Sequence, residues 1–255
     1  MTTQTTYALF AQFYDAYVGE YAQDIPAYLV LAAPYSQPIL EIGCGSGRVL
    51  LPLINAGHSV TGVDISDEML SLAQAKLKAH QLDNACTLLN HNFVDAPLAS
   101  KYALALVTFY TFNYLLTAEQ QSSFLHHVAE CLEPESKIAV HLFSPDPLRR
   151  PETAGLWIEK GSYQIAGDKI TLQDRRAMLD DRTEERIQIF TFDSGRREEI
   201  RTLRRYVSQT EIAKLLSAAG FAPPLSTPDL NLSHLAPIDP NYEIPGEFLV
   251  VAEKS

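Results

Sequence analysis

Cysteine is scarce in this sequence, and its three copies lie too far apart to form a metal-binding cluster. Cys44, Cys86 and Cys131 are an odd set of widely spaced thiols, which is typical of reduced cysteines rather than of a disulfide framework. The first ten residues, MTTQTTYALF, lack the basic part and the long apolar part of a secretory signal. We therefore expect a cytoplasmic protein with free thiols and no metal site.

Positive charge is also in short supply: 20 lysines and arginines oppose 31 acidic residues, and the net charge is −11. Nucleic acids and anionic membranes bind basic surfaces, so we expect neither as a partner. Long apolar runs are missing too, because the uncharged stretch 103–118 is interrupted by threonine and asparagine and is too short to span a membrane. The sequence leaves a homodimer open.

The sequence does contain a glycine-rich turn between two apolar segments. The run Ile39–Ile42 suits a buried parallel strand. Residues 49–56 favour a helix, and residues 60–63 form a second apolar strand that ends at Asp64. Ligands of open parallel sheets bind beyond the carboxyl ends of the strands, so this stretch predicts a ligand-binding crevice. The turn between the first strand and the helix holds three glycines: Gly43, Gly45 and Gly47.

The spacing of these glycines excludes two common nucleotide-binding motifs. A dinucleotide fingerprint needs a third glycine where Arg48 stands, and a phosphate loop needs a lysine after its last glycine. The pattern Glu41-x-Gly-x-Gly-x-Gly, with Asp64 ending the next strand, resembles the cofactor site of class I S-adenosylmethionine (SAM)-dependent methyltransferases. With its Gly-Arg-Val-Leu continuation, the chain is most similar to bacterial small-molecule members of that family, including amino-sugar N-methyltransferases.

The resemblance implies a doubly wound, Rossmann-like α/β fold with a seven-stranded, mostly parallel sheet and a closing antiparallel strand. Charged and β-branched residues alternate between residues 156 and 206, which predicts an inserted antiparallel β-meander. Arginines 196, 197, 201, 204 and 205 are interleaved with acids there, and we interpret them as a solvated strand face. The expected domains are a helical cap (1–38), a SAM-binding core (39–143), a β-rich insertion (144–207) and a C-terminal part completing the core (208–255).

The same resemblance assigns roles to residues at the predicted crevice. Glu41 and the glycine turn would meet the amino-acid end of SAM, Asp64 the ribose, Asn92 the adenine amine, and Phe93 the adenine ring. Asp95 is an alternative partner for the adenine. The residues expected to bind the cofactor are Glu41, Gly43, Cys44, Gly45, Gly47, Arg48, Asp64, Ile65, Met69, Asn92, Phe93 and Phe109.

Two aromatic segments are candidates for the methyl acceptor. Residues 7–33 have an aromatic stripe with helical spacing, which resembles the Tyr-Asp helix that closes over SAM in related enzymes. The second segment, 109–114, follows the fourth predicted strand. Packing in the core is the alternative role for each of these side chains. The expected substrate contacts are Tyr14, Tyr17, Tyr110, Asn113, Tyr114 and Tyr206, and the candidate catalytic residues are His141, Tyr14 and Tyr110.

The predicted activity is methyl transfer from SAM to a nitrogen or oxygen atom of a small molecule. A protein that binds SAM without transferring a methyl group is one alternative. A protein or RNA methyltransferase is another, although the acidic composition and the lack of an Asn-Pro-Pro-Tyr motif after the fourth strand oppose it. A nicotinamide oxidoreductase is opposed by Arg48.

Overall fold

In a computed structural model, the chain forms two β-sheets with helices packed around the larger one. The structure describes residues 11, 13–18, 21–144, 154–165 and 167–255. Within these parts of the chain, no helix combines the length and apolar character needed to cross a membrane.

The larger sheet has eight strands in the spatial order β11-β10-β12-β5-β4-β1-β2-β3. Strands β1 to β5 pair in parallel, whereas β12 runs antiparallel to β5. The predicted closing antiparallel strand is therefore confirmed, and the strand beyond the predicted seven is the two-residue β11. The strands are β1 (Ile39–Ile42), β2 (Val60–Asp64), β3 (Cys86–Asn90), β4 (Tyr102–Val107), β5 (Leu132–Ser144), β10 (Leu225–Thr227), β11 (Ala236–Pro237) and β12 (Gly246–Glu253).

Helices cover both faces of this sheet, as a doubly wound fold requires. The apolar sides of α1, α2 and α3 pack in one core, and those of α4 and α5 pack in another on the opposite face. Thr117 and Ser208 begin α4 and α5 with capping boxes, in which their hydroxyls accept hydrogen bonds from backbone N–H groups. The helices are α1 (Ile25–Ala32), α2 (Leu50–Asn55), α3 (Asp67–Ala79), α4 (Ala118–Glu130) and α5 (Gln209–Ala218).

The N-terminal segment is not the single helix expected over residues 7–33. Residues 13–18 are helical, but residues 21–24 are not, and α1 begins only after Asp24. The break has a structural cause, because Arg48 donates hydrogen bonds to the Tyr21 carbonyl and to the Asp24 carboxylate. Pro26 then opens the new helix, a position proline favours. Residues 7–10 lie outside the described residues.

The smaller sheet is the predicted antiparallel meander, with the order β6-β7-β8-β9. Its apolar face packs on the N-terminal helical segment, where the ring of Phe13 stacks on Phe190 with 4.0 Å between the centroids. That segment therefore lies between the meander and the glycine-turn side of the larger sheet. The strands are β6 (Trp157–Ile165), β7 (Asp168–Met178), β8 (Thr183–Phe192) and β9 (Arg197–Arg205).

Candidate active site

The glycine turn after β1 has a backbone that requires glycine. Gly43, Gly45 and Gly47 have φ angles of +73°, +54° and +85°, in the left-handed region that other residues rarely adopt. A Cβ atom on Gly43 would lie 2.1 Å from Oγ1 of Thr111. The Thr111 side chain therefore fills the space in which any side chain at position 43 would have to lie.

Asp64 fastens this turn to the end of β2. One carboxylate oxygen accepts a hydrogen bond from the Gly45 N–H at 2.9 Å, and the other accepts one from the Ser66 N–H at 3.0 Å. Burial raises the pKa of Asp64, while these hydrogen bonds act to lower it. The carboxylate is thus held at the carboxyl edge of the sheet, next to the glycine turn.

A cavity of about 720 Å³ opens at this edge. Its wall contains twelve of the residues that the sequence analysis assigned to cofactor or substrate. Those from the predicted cofactor set are Gly43, Gly45, Asp64, Ile65, Met69, Asn92, Phe93 and Phe109. Those from the predicted substrate set are Tyr14, Tyr17, Tyr110 and Tyr114.

Four predicted cofactor residues, Glu41, Cys44, Gly47 and Arg48, do not line the cavity. Glu41 is buried behind the turn, where it accepts a hydrogen bond from the Thr108 hydroxyl, and burial raises its pKa to about 8. Arg48 forms a two-pronged ion pair with Asp24 and lies 4.7 Å from the ring centre of Phe109. Both side chains are therefore engaged with neighbouring residues outside the cavity wall.

Asp15 anchors the N-terminal helical segment over the turn. Its carboxylate accepts hydrogen bonds from the Ser46 hydroxyl at 2.5 Å and from Lys76 Nζ at 2.7 Å. The anchor places the neighbouring Tyr14 at the cavity, next to the glycine turn. A Cβ atom on Gly45 would lie only 4.0 Å from a ring carbon of Tyr14. The Tyr17 ring follows, 6.2 Å from that of Tyr14.

The structure does not bring His141, Asn113 or Tyr206 to the cavity wall. His141 is fully buried, with Nδ1 2.9 Å from the Tyr28 hydroxyl. The Asn113 side chain donates hydrogen bonds to two backbone carbonyls and accepts one from a backbone N–H. Tyr206 is buried with its ring 6.0 Å from that of Phe143. The three side chains are thus packed in the framework around the cavity, and their roles toward a substrate stay predictions.

Comparison with known proteins is decisive for the central part of this structure, because residues 39–135 match the family model described as a methyltransferase domain. Residues 39–135 of this chain are therefore a methyltransferase domain. The Rossmann-like methyltransferase fold predicted from the sequence is confirmed.

Similar proteins include an uncharacterized methyltransferase of Bacillus licheniformis, 33% identical over 134 residues, which are 51% of this chain and 59% of the relative. The dTDP-3-amino-3,4,6-trideoxy-alpha-D-glucopyranose N,N-dimethyltransferase of Streptomyces venezuelae is 27% identical over 138 residues, or 54% of each chain. The structure of the CcbJ methyltransferase from Streptomyces caelestis shares the fold at a TM-score of 0.76 and 22% identity, with 100% of both chains covered. The chain spans about half the length of the curated relatives it matches.

Glu247 lies behind the cavity-lining Tyr110, and the sequence analysis did not single it out. Its carboxylate accepts hydrogen bonds from the hydroxyls of Tyr110 at 2.7 Å and Tyr21 at 2.6 Å, and it lies 3.4 Å from His141 Nε2. The contact with His141 and the two phenol hydrogen bonds hold the pKa of Glu247 at about 2. Only the pairing of β12 with β5 brings Glu247 here, and no local sequence signal reports that pairing.

Three arginines of the meander also line the cavity: Arg176, Arg186 and Arg204. Arg186 donates two hydrogen bonds to Asp174, at 2.9 and 3.1 Å. The predicted solvated face is consistent with Arg196 and Arg201, whose side chains are 57% and 58% exposed. It is wrong for Arg204, which is only 7% exposed. A strand pattern fixes which residues share a face but not what that face packs against, so the sequence did not reveal this burial.

Proposed function

We propose that this protein transfers a methyl group from SAM to a nitrogen or oxygen atom of a small molecule. One observation carries the proposal: the glycine turn and the Asp64 carboxylate meet at a cavity whose wall is rich in aromatic side chains. The cavity volume of about 720 Å³ lies within the range of small-molecule sites.

The residues at the turn fit the chemical groups of SAM. Each oxygen of the Asp64 carboxylate has a lone pair beyond the one used by a backbone N–H, so it can accept a hydrogen bond from a ribose hydroxyl. The Asn92 side-chain oxygen accepts a bond from the Val94 N–H and retains a lone pair for the adenine amine. Phe93, held edge-on between His91 and Phe124, offers a rigid apolar wall for the adenine ring.

SAM, when bound, supplies an activated methyl group on a positively charged sulfur. The chain's own residues then have to align the acceptor atom with that methyl group and exclude water. Rings of tyrosine and phenylalanine attract cations through their faces, and Tyr14, Tyr17, Phe109, Tyr110 and Tyr114 surround the cavity. We infer that these rings favour the sulfonium and hold the acceptor close to it.

The tyrosines at the cavity are suited to positioning an acceptor and poorly suited to removing its proton. Burial raises the pKa of Tyr14 and of Tyr110, and the negative charge of Glu247 raises that of Tyr110 further. The Tyr110 hydroxyl donates a hydrogen bond to Glu247. Its oxygen can therefore accept a hydrogen bond from the molecule that is to be methylated. A nitrogen acceptor that enters as a neutral amine needs no base before methyl transfer, and this arrangement therefore favours nitrogen over oxygen. The N,N-dimethyltransferase named above is consistent with that choice.

Calorimetric titration with SAM and with its product S-adenosylhomocysteine tests the cofactor site. We expect Asp64→Asn to weaken both, because it replaces a charged hydrogen-bond acceptor by a neutral amide. Asp181→Asn is the matched control, since that side chain is 86% exposed and does not line the cavity. No binding by the unaltered protein, or equal affinities for all three proteins, would overturn the cofactor assignment.

Incubation with methyl-labelled SAM and a metabolite mixture tests the transfer itself. We expect label to appear in a low-molecular-weight product whose mass has grown by one methyl group. Cofactor binding without any labelled product would instead support a SAM-binding protein without methyl transfer. Label recovered in protein or RNA would support a macromolecular acceptor.

A further inference from the structure

Arg204 carries a buried positive charge that contacts no acidic side chain among the residues that the structure describes. The residue is 7% exposed, its guanidinium forms no hydrogen bond or ion pair with any of those residues, and Nε is buried without a partner among them. Its Cζ lies 5.6 Å from the ring centre of Tyr114. Burying a charge without a partner is costly, so buried charges in proteins are normally paired or bind an ion.

The acidic residues near Arg204 do not meet this need. Glu184 stands opposite Arg204 in the pairing of β8 with β9, but its carboxylate is not within ion-pair distance of the guanidinium. Asp174 is engaged with Arg186, which donates two hydrogen bonds to it, and with Arg176 at 3.4 Å. Three guanidinium groups thus share this side of the cavity with two carboxylates, in a protein whose net charge is −11.

The arginines are separated from the glycine turn by the tyrosines of the N-terminal segment. Tyr14 approaches Gly45, the Tyr17 ring lies 6.2 Å from that of Tyr14, and Cζ of Arg186 lies 5.9 Å from the centre of Tyr17. The cavity therefore has a cofactor side at the turn and a cationic side at the meander. An acceptor that reaches from the tyrosines to the meander would place its far end against Arg204.

We propose that Arg204, assisted by Arg176, binds an oxyanion of the methyl acceptor, so that the acceptor is an anionic small molecule. The proposal rests on the proposed methyl transfer, because it concerns the second substrate of that reaction. A guanidinium fork donates two parallel hydrogen bonds to a phosphate or a carboxylate, which gives both affinity and a fixed orientation. Arg186, held by Asp174, adds positive potential without giving up its own partner.

Binding of simple oxyanions tests the site without requiring turnover. The protein saturated with S-adenosylhomocysteine is titrated with inorganic phosphate and, separately, with acetate, at constant ionic strength. We expect the unaltered protein to bind at least one of these two anions. Arg204→Gln should lower the affinity for that anion by about tenfold, the factor for one charge-assisted hydrogen bond. Arg204→Lys keeps the charge but not the fork, and should bind with intermediate affinity.

Arg201→Gln is the matched control, because Arg201 lies on the same strand but is 58% exposed and pairs with Glu185. The proposal is overturned if neither anion binds, or if Arg201→Gln and Arg204→Gln weaken binding equally. It is also overturned if Arg204→Gln folds but loses S-adenosylhomocysteine, because the arginine would then serve the carboxylate of the cofactor. Unchanged cofactor binding together with lost phosphate or acetate binding supports it.

A second test uses the unaltered protein and does not depend on the folding of any variant. Labelled product from the metabolite mixture is passed over an anion exchanger at neutral pH. Retention on the resin supports an anionic acceptor, and treatment with a phosphatase then separates phosphates, which are released, from carboxylates, which are not. A product that flows through the resin refutes the anionic acceptor while leaving methyl transfer intact. Absence of any labelled product, with oxyanion binding preserved, would count against the proposed function and not against the site.

Discussion

The ion pair between Arg48 and Asp24 should be one of the larger single contributions to stability in this fold. The side chains are 9% and 0% exposed, and the two hydrogen bonds between them measure 2.6 and 2.7 Å. Arg48→Met would leave the Asp24 carboxylate buried without a counter-charge, which costs about 3–5 kcal/mol. Loss of the contact with the Phe109 ring adds about 0.5–1 kcal/mol. We expect a total loss of about 4 kcal/mol in the free energy of unfolding, a large part of the stability of a typical domain.

Urea unfolding measures this loss directly, as a fall in the midpoint of about 1 M or more. The double variant Arg48→Met with Asp24→Asn should recover about 2 kcal/mol, because it removes the unpaired charge. Arg201→Met serves as the control, since the Arg201 side chain is 58% exposed and ion pairs of exposed side chains contribute less than about 1 kcal/mol. A loss below about 1 kcal/mol for Arg48→Met, or no recovery in the double variant, would show that the pair is not buried as described.

Three further predictions address the turn and the ionisable groups around it. Gly43→Ala should lower the free energy of unfolding by at least about 2 kcal/mol and abolish SAM binding, because it adds strain at a positive φ and a clash with Thr111. In urea unfolding, adding Thr111→Ala to this variant should restore part of the lost stability. Glu247 has a pKa lowered from 4.5 to about 2, so the stability it contributes is present above pH 4.5 and lost as the pH falls towards 2; the difference in thermal stability between the unaltered protein and Glu247→Gln should shrink over that interval. Glu41 has a pKa raised from 4.5 to about 8, so the stability from its protonated form is fully present below pH 4.5 and is lost as the pH rises from there through 8. Glu41→Gln should make unfolding less sensitive to pH between about 4.5 and 8, and an unchanged slope would contradict its burial as an acid.

The parts of the site that the sequence predicted correctly are those in which short-range chemistry leaves few choices. Three glycines after a buried strand permit the positive φ angles of the turn. The position of Asp64 at the carboxyl end of β2 follows from the length of the apolar run before it. Ser66, Thr117 and Ser208 are helix caps whose hydroxyls accept backbone hydrogen bonds, a role that serine and threonine favour at the start of a helix. Each of these features is determined within a few residues, so a single sequence contains the necessary information.

The parts that the sequence did not predict depend on contacts between distant segments. The N-terminal helix breaks because Arg48, far along the chain, binds the Tyr21 carbonyl and Asp24. Arg204 lies on a strand with alternating charges, and its burial follows from where the meander sits on the cavity. His141 lies near the carboxyl end of β5, and whether it would be packed or accessible depended on distant residues such as Tyr28, which lies against it in the core. The roles of the individual cofactor and substrate residues, and the four domain boundaries, stay predictions.

The two attachments of the N-terminal helical segment differ in a way that bears on the kinetics of the reaction. On one side, the Phe13 ring stacks on Phe190 within an apolar core. On the other, Asp15 binds Lys76 through side chains that are 40% and 31% exposed, where dissolved salt weakens their attraction. We expect the segment to swing away on the Asp15 side while it stays attached to the meander, since exit of the used cofactor requires an opening over the turn. If that exit limits turnover, moderate salt should raise the turnover rate of this protein even while it weakens the binding of its ligands.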